Sequence, residues 1–477
     1  MMKRRLRRWL AVCCVAMASP ANAEVSVENE SLALRFDAQG QLLEAVICHP
    51  VCADETVRRQ VLSAFSGLVG FSDPGIGGWS VEQSEEGGDA VVEFSGPGER
   101  RVIWNIPASG YGLGLLVEGV GELTLRSDNG LQPRPAAGFG NWLEQARYVA
   151  IDGSGARQIG LDETEAGAVR AEWAGIRNRF WAVLVGADGS NRFEFTTADV
   201  AARPRVERAG KDEAERLLLY IGPVEPRELD AVDPLLQKTL YAGLWFWLRW
   251  ICFGLFYLLD WIHRAVPIWG VAIMLLSVVV HVLMSPLSRA AERLQQQVHA
   301  TEARLAPELA RIKRTCRGEE QAARIIALYK TERVHPLYSL KSLLGVAIVI
   351  PVFIGAFDML AENIHLMNTA FLWIDDLSRP DAFARLPFEL PFFGSAFNLL
   401  PLLMTGLSIL ASALHRPPAQ HPDLRRRQLH NMIALATLFL VLFYTFPAGM
   451  VLYWTTNNLI SVAKGLWARF RFVRPTA

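Results

Sequence analysis

The chain has 477 residues, with 48 Lys/Arg balanced by 48 Asp/Glu, and 51% of its side chains are hydrophobic. That length accommodates at least two domains with cores of their own. A formal charge of zero excludes recognition of nucleic acid or acidic partners by bulk charge. What carries information is where the charges stand, because the apolar residues crowd into the second half.

The N-terminus, "MMKRRLRRWLAVCCVAMASPANAE", has a basic start, a short apolar run and a small-x-small site at Ala21-Asn22-Ala23. This pattern predicts a secretory signal over 1–23, cut before Glu24. An uncut anchor is the alternative, although the apolar run falls short of the roughly 17–25 residues of a span. Cys13 and Cys14 leave with the signal. Cys48 and Cys52, in "CHPVC", then lie in an exported, oxidising domain and are expected to pair as a local disulfide. A metal site there would draw on His49 and Asp54 and would want more ligands than these.

Residues 24–235 read as an exported β-sandwich. Short alternating runs such as "VSVENESLALRF", "AVVEF" and "RVIWNI" are separated by Gly-, Pro- and Asn-rich turns. No acid, base and nucleophile cluster stands out, so binding or scaffolding is expected of it rather than catalysis.

From 239 the composition changes. Residues 239–265 are aromatic-rich but carry Arg249, Asp260, His263 and Arg264, which suits a helix lying in a membrane interface. Apolar runs long enough to span follow at 267–287, 341–361, 393–414, 429–446 and 450–467. Between the first two, 288–341 holds eleven Lys/Arg against six Asp/Glu, and basic loops prefer the cytoplasm. With residues 24–235 outside, only one of 239–265 and 267–287 can then cross. The prediction is a polytopic α-helical core of five spans over 266–470, with a cytoplasmic tail.

The basic segment 288–340 is itself predicted as an antiparallel helical hairpin. Leu294, Val298, Leu305, Leu309 and Ile312 recur at helical spacing, "CRG" at 316–318 breaks the run, and Ile325, Ile326 and Tyr329 resume it. Its Arg311, Lys313, Arg314 and Arg317 either form a solvated face that only fixes topology, or dock lipid head groups, a ribosome or a nascent chain.

Polar residues recur inside two spans. Ser277, His281, Ser285 and Ser288 share one helical face, and Tyr453, Asn457 and Ser461 share another, with Thr456 beside it. Ordinary packing by small and polar residues accounts for such stripes. A shared, partly hydrated interior surface is the functional alternative, since polar groups in lipid face a bundle interior or a wet cavity. Asp358, near the outer end of its span, reads as an interfacial carboxylate, with a member of a polar relay as the alternative. The membrane half has no zinc-type spacing, nucleophile elbow or phosphate loop, so neither an enzyme nor a metal or other cofactor is expected.

"FPAGMVLYWTTNNLISV" (446–462) closely resembles the last span of the YidC-type membrane protein insertases. "FLWIDDLSRPD" (371–381) resembles their outer loop, "ALYKTERVHPL" (327–337) the end of their cytoplasmic hairpin, and residues 217–248 the junction between exported domain and interfacial helix. The resemblance covers 217–470 well and 24–216 weakly, there through "AEWAGIRNRFWAV" (171–183). It implies an inner-membrane insertase and chaperone that takes nascent membrane proteins as clients through a hydrophilic groove, without nucleotide or metal. The implied partners are membrane lipids, the Sec translocon, the ribosome and the signal recognition pathway, with no specific nucleic acid. Ser277, His281, Ser285, Tyr453, Thr456 and Asn457 would line that groove. The alternative is an assembly factor dedicated to one membrane partner.

The departures from the family pattern are at His281, where arginine is usual, at Val349, where glutamine is frequent, and at Tyr338-Ser339-Leu340, which opens the second span. A buried imidazole tends to be neutral, so the groove is expected to be less positive and to favour clients with few acids.

Overall fold

The computed structural model describes residues 24–472 apart from 55–56, 65–66, 76, 132–135, 161–168, 188–192, 201–202, 209–213, 333, 335–339 and 415–421. The expected signal (1–23) and the Tyr338-Ser339 departure lie outside these residues. The chain forms two compact units, one of 1–132 and 146–237, the other of 133–145 and 238–477.

The first unit is β-rich. One antiparallel sheet runs, in spatial order, Val25–Glu28, Leu32–Phe36, Leu42–His49, Val69–Phe71, Leu123–Arg126, Arg203–Arg208, Phe193–Val200 and Val169–Ala171, with Arg58–Ser63 also on Leu42–His49. The other runs Gly155–Gly160, Arg147–Asp152, Trp173–Arg177, Trp181–Ala187, Glu215–Pro223, Gly112–Glu118, Arg101–Ile106, Asp89–Ser95 and Ser80–Glu86. Strict alternation places every second residue inside, as in Leu32, Leu34 and Phe36. The inner faces meet through aromatics, with Phe36 against Trp104 at 5.1 Å between ring centres. The Tyr111 hydroxyl donates to the Cys48 carbonyl at 2.7 Å, and Cys48 and Cys52 are joined as a disulfide.

The "AEWAGIRNRFWAV" stretch is the hairpin at the centre of the second sheet. All of Trp173–Arg177 is buried. Asn178 makes the turn, its Oδ1 accepting from the Phe180 and Trp181 amides at 2.9 Å each. The unit closes with helix α1, Pro226–Val232, where Asp233 accepts from the Trp173 indole at 2.8 Å.

The second unit is helical. Helix α2, Phe246–Ala265, buries Leu248, Cys252, Leu255, Phe256, Leu259 and Ile262 and exposes Phe246, Trp250 and Trp261. A helix with an aromatic outer face therefore stands where the interfacial helix is expected, but it begins at 246. Residues 239–245 are a 3-10 end and a turn in which Tyr241 has φ 54°. After a turn that stacks His263 on Trp269 at 3.7 Å, helix α3 runs unbroken from Trp269 to Thr315. The expected first span and the first arm of the hairpin are thus one 47-residue helix. Pro286, at the predicted boundary, removes one backbone hydrogen bond without ending it.

Helix α4, Gly318–Thr331, returns after the turn, where Gly318 takes φ +61°. The hairpin seam on α3 is Val298, Leu305 and Ile312, all buried and seven residues apart, and Arg304 pairs with Glu332 at 3.6 Å across it. Helix α5 is Leu340–Glu362, α6 Leu399–Leu414, α7 Pro422–Phe443 and α8 Ala448–Phe472.

The third apolar run is shorter than expected. Gly394–Phe397 pairs with Ala384–Leu390 as a small hairpin, so α6 begins at 399 rather than 393. At 16 residues it is about 24 Å long. Among the described residues, Trp269–Val298 is the one helix both long and apolar enough to cross a membrane, while Leu399–Leu414 and Met432–Phe443 are shorter apolar helices.

Residues 133–145 lie within the stretch predicted as β-sandwich but belong to the helical unit. Their 3-10 turn, Gly138–Glu144, sets Phe139 edge-on to Phe392 at 4.9 Å, and the Gly140 amide donates to Thr445 Oγ1 at 3.2 Å.

Candidate functional site

Helices α3 and α8 lie side by side and run in the same direction. Two contacts establish this, because both join residues 176 apart in sequence. Ser277 Oγ donates to the Tyr453 carbonyl at 3.1 Å, and His281 Nδ1 meets Asn457 Oδ1 at 2.8 Å. Matched steps along two helices at one fixed offset require parallel axes. The two polar stripes read from the sequence therefore face each other as one seam.

Within the seam the residues do different things. Ser277 is buried and its hydroxyl is used in tying the helices together. Tyr453 contributes its backbone carbonyl while its ring is buried. His281 and Asn457 are half-buried and touch each other through their side chains. Ser285 and Ser288 continue the α3 face, half-buried. Thr456 is buried, and its Oγ1 donates to the Leu452 carbonyl of its own helix at 2.8 Å. A threonine in an apolar helix commonly satisfies its hydroxyl in this way.

Three residues of this region have roles that their positions in the sequence do not announce. Lys464, by sequence one of the basic residues of the tail, reaches back so that its Nζ contacts His281 Nε2. Asn458 Nδ2 donates to the Met404 carbonyl at 3.0 Å, tying α8 to α6. Asp381 is buried, and its Oδ2 accepts from the Leu399 amide at 2.9 Å, the Leu400 amide at 3.0 Å and the Trp373 indole at 3.1 Å. It thereby caps the N-terminus of α6, where amides lack helical partners and a carboxylate is favoured. The signal for Lys464 is in the spacing. Residues 453, 457, 461 and 464 repeat the 277, 281, 285, 288 pattern.

One end of the seam is closed by backbone. The Ala448 amide donates to the Arg379 carbonyl at 2.7 Å, and the Gly449 amide to the Leu377 carbonyl at 2.8 Å. This joins the "FLWIDDLSRPD" loop to the "FPAG" turn that opens α8. Gly270 permits the same loop to pack on α3, because an added Cβ would stand 2.1 Å from Phe371 Cγ. Behind the seam Phe353 of α5 packs on Trp454 at 4.5 Å, and Phe357 on Phe446 at 5.4 Å.

Other expected positions lie away from the seam. Asp358 is half-buried on α5, one turn before Glu362, whose Oε2 accepts from the Tyr241 amide at 3.4 Å. Arg311, Lys313, Arg314 and Arg317 are exposed at the hairpin tip, and Arg311 pairs with Glu308 at 2.9 Å. The side chain of Val349 lies outside the described residues.

The family described as "60Kd inner membrane protein" matches residues 261–474, which contain the whole seam. A membrane protein insertase YidC of Syntrophobacter fumaroxidans is 31% identical over 311 residues, covering 62% of this chain and 53% of that protein. One of Laribacter hongkongensis is 34% identical over 284 residues, covering 59% and 46%. The chain spans about half the length of the curated relatives it matches. A crystal structure of an active YidC insertase with its first transmembrane domain resolved aligns at a TM-score of 0.37 and 16% identity, over 94% of this chain and 93% of that one. That superposition is too loose to argue from. The sequence matches carry the comparison: residues 261–474 are similar to the 60Kd inner membrane protein family, and the curated relatives matched are YidC insertases.

Proposed function

We propose that this chain is a membrane protein insertase, a non-enzymatic device that lowers the barrier for a client's polar end to enter the bilayer. The observation that carries the reading is the α3/α8 seam. Two apolar helices present matched polar groups to each other, with His281 on Asn457 at 2.8 Å and Ser277 on Tyr453 at 3.1 Å. A polar segment of a nascent membrane protein exchanges water for such groups instead of for hydrocarbon, which reduces its desolvation cost. The client's apolar helix meanwhile leaves along the outer faces of α3 and α8, where Val282, Leu283, Leu459 and Trp467 are exposed.

The reading places the protein in the bacterial inner membrane with five spans, residues 24–235 outside, and the 288–340 hairpin and the tail inside. The hydrogen-bonded closure between 377–379 and 448–449 supports a groove that is shut on the outer side. The exposed Trp245, Phe246, Trp250 and Trp261 support α2 as an interfacial helix. The cationic hairpin tip supports contact with lipid head groups, ribosome or signal recognition pathway, and the Sec translocon is a candidate partner. The short α6 suits a locally thinned bilayer.

The test is photo-crosslinking from positions 281 and 457 in cells making labelled nascent membrane proteins, together with complementation of a strain depleted of its main insertase. Crosslinks to many different clients and restored growth are expected. One recurrent partner without growth would identify an assembly factor instead.

A further inference from the structure

The loop ahead of α6 carries an apolar surface that the seam does not use. Residues 383–392, "FARLPFELPF", hold one arginine and one glutamate, so their net charge is zero. Along the strand Ala384–Leu390, Ala384, Leu386, Phe388 and Leu390 alternate with Arg385, Pro387 and Glu389. That is the period of a strand with one apolar and one polar face. A packed strand of this kind buries its apolar face, but here Phe388 is 57% exposed and Phe392, in the turn that follows, 53%. Phe392 also holds φ 72°, a left-handed conformation in which a bulky residue is rare. The phenyl ring is thus present against the preference of its own backbone.

The base of the hairpin is fixed while these rings face outward. Phe139 stands edge-on to Phe392 at 4.9 Å, and Phe393 to Tyr444 at 5.3 Å. The Tyr444 hydroxyl donates to the Ala396 carbonyl at 3.2 Å. Ala384–Leu390 and Gly394–Phe397 take no third strand among the described residues, and their register slips between Arg385 and Leu390. Main-chain groups along the outer edges therefore need water or head groups, which rules out a place in the hydrocarbon core. An open two-stranded hairpin with one apolar face suits the boundary between head groups and acyl chains, where aromatic rings collect.

Its place in the chain selects lipid rather than a protein partner. Only Asn398 separates Phe397 from Leu399, where α6 begins. At about 24 Å, α6 falls short of the roughly 30 Å hydrocarbon core. About 6 Å is left to be covered or thinned, and the hairpin stands at the outer end of that helix. Leu402 and Leu403, in the first turns of α6, are exposed, so apolar surface is presented on both sides of the junction. The neutral face offers no charge for a protein partner to match.

We propose that the 384–397 hairpin lies in the outer head-group region of the bilayer, with Phe388, Leu390 and Phe392 against the acyl boundary and Arg385 and Glu389 in water. It is a second interfacial element beside α2, and it fixes the depth of α6. This rests on the membrane placement and orientation proposed above. Because the face is neutral, zwitterionic lipid suffices and salt does not release it.

The full chain is reconstituted in nanodiscs of phosphatidylcholine, which leave both membrane faces open to solvent. A nitrobenzoxadiazole label is attached through Phe388→Cys, Arg385→Cys or Leu410→Cys, the native Cys252 and Cys316 being buried. Quenching is read from lipid spin-labelled near the head group and from aqueous iodide. The ratio of lipid to iodide quenching is expected to be roughly threefold higher at 388 than at 385. Adding Leu390→Asp to the Phe388→Cys chain is expected to bring the ratio at 388 down to that at 385, and high salt to leave the unaltered ratio unchanged. Equal ratios at 388 and 385 overturn the proposal. So does a label at 388 that iodide cannot reach and lipid does not quench, which would assign the face to a second copy of the chain. So does a difference that appears only when anionic lipid is added. The label at 410 tests the reading underneath. If lipid does not quench it, α6 is not a span, a failure distinct from a quenched 410 beside a solvent-exposed 388.

Discussion

Asp381 closes three hydrogen bonds with one carboxylate oxygen, at the start of a helix only 16 residues long. Replacing such a cap typically costs about 0.5–2 kcal/mol, and leaving buried donors unmet adds to that. Asp381→Ala is therefore expected to lower the unfolding midpoint of the full chain in detergent, and Asp381→Asn, which keeps an acceptor, to lower it less. Equal midpoints for all three would remove the cap from the account. Gly270 is the second test at this scale. Phe371 occupies the space a Cβ would need, and the nearest approach is to a rigid ring. Gly270→Val is expected to detach the 371–381 loop, read as faster amide exchange at Ala448 and Gly449, which donate to that loop. The sequence marks 371–381 as a family-like stretch, but not which of its acids is structural. Asp375, Asp376 and Asp381 look alike in a string, and only Asp381 is buried against the α6 amides.

The hairpin shows how a correct element can be misdrawn in detail. Periodicity identifies the apolar positions, and the structure keeps Val298, Leu305 and Ile312 as the buried seam while leaving Leu294 and Leu309 half-buried. The seven-residue repeat is the coiled-coil spacing, which narrows the stripe to what one partner helix can cover. Leu305→Asp is expected to separate α3 from α4 by burying a charge without a partner. The distance between spin labels at 301 and 331 would lengthen and broaden, whereas Arg304→Ala, which breaks only an exposed ion pair, would leave it nearly unchanged. An unaltered distance in Leu305→Asp would show that the seam does not hold the hairpin. The boundary at Pro286 misleads for a related reason. Proline ends helices in water, yet here residues on both sides continue the same helix and the loss is one hydrogen bond.

For the whole molecule, the testable quantity is topology. Phe139 and Arg314 are both exposed, and the free thiols Cys252 and Cys316 are buried. A membrane-impermeant thiol reagent is expected to label Phe139→Cys from the outer side of intact spheroplasts and Arg314→Cys only after lysis. Labelling in the opposite sense would invert the proposed orientation. Within the β-rich unit, the Cys48–Cys52 bond closes a loop of sequence separation four, for which loop entropy gives about 2 kcal/mol. Cys48→Ser/Cys52→Ser is expected to lower the unfolding free energy of the β-rich unit, extrapolated from denaturant titration, by about that amount and leave the helical unit alone.

The sequence by itself determined the division into a β-rich first part and an apolar helical second part, the amphipathic character of α2, the hairpin, and the two polar stripes. These are local properties, set by periodicity and composition along a continuous run. The tertiary structure alone decided which groups meet. It joined two stripes 176 residues apart into one seam, turned the Thr456 hydroxyl onto its own helix, and brought Lys464 to His281. It also gave 133–145 to the helical unit and set Asp381 under α6. The reason is physical. A helix face is fixed by the chain's own repeat, but a hydrogen bond between elements depends on the relative rotation and offset of two helices, and that is settled only when their whole surfaces pack.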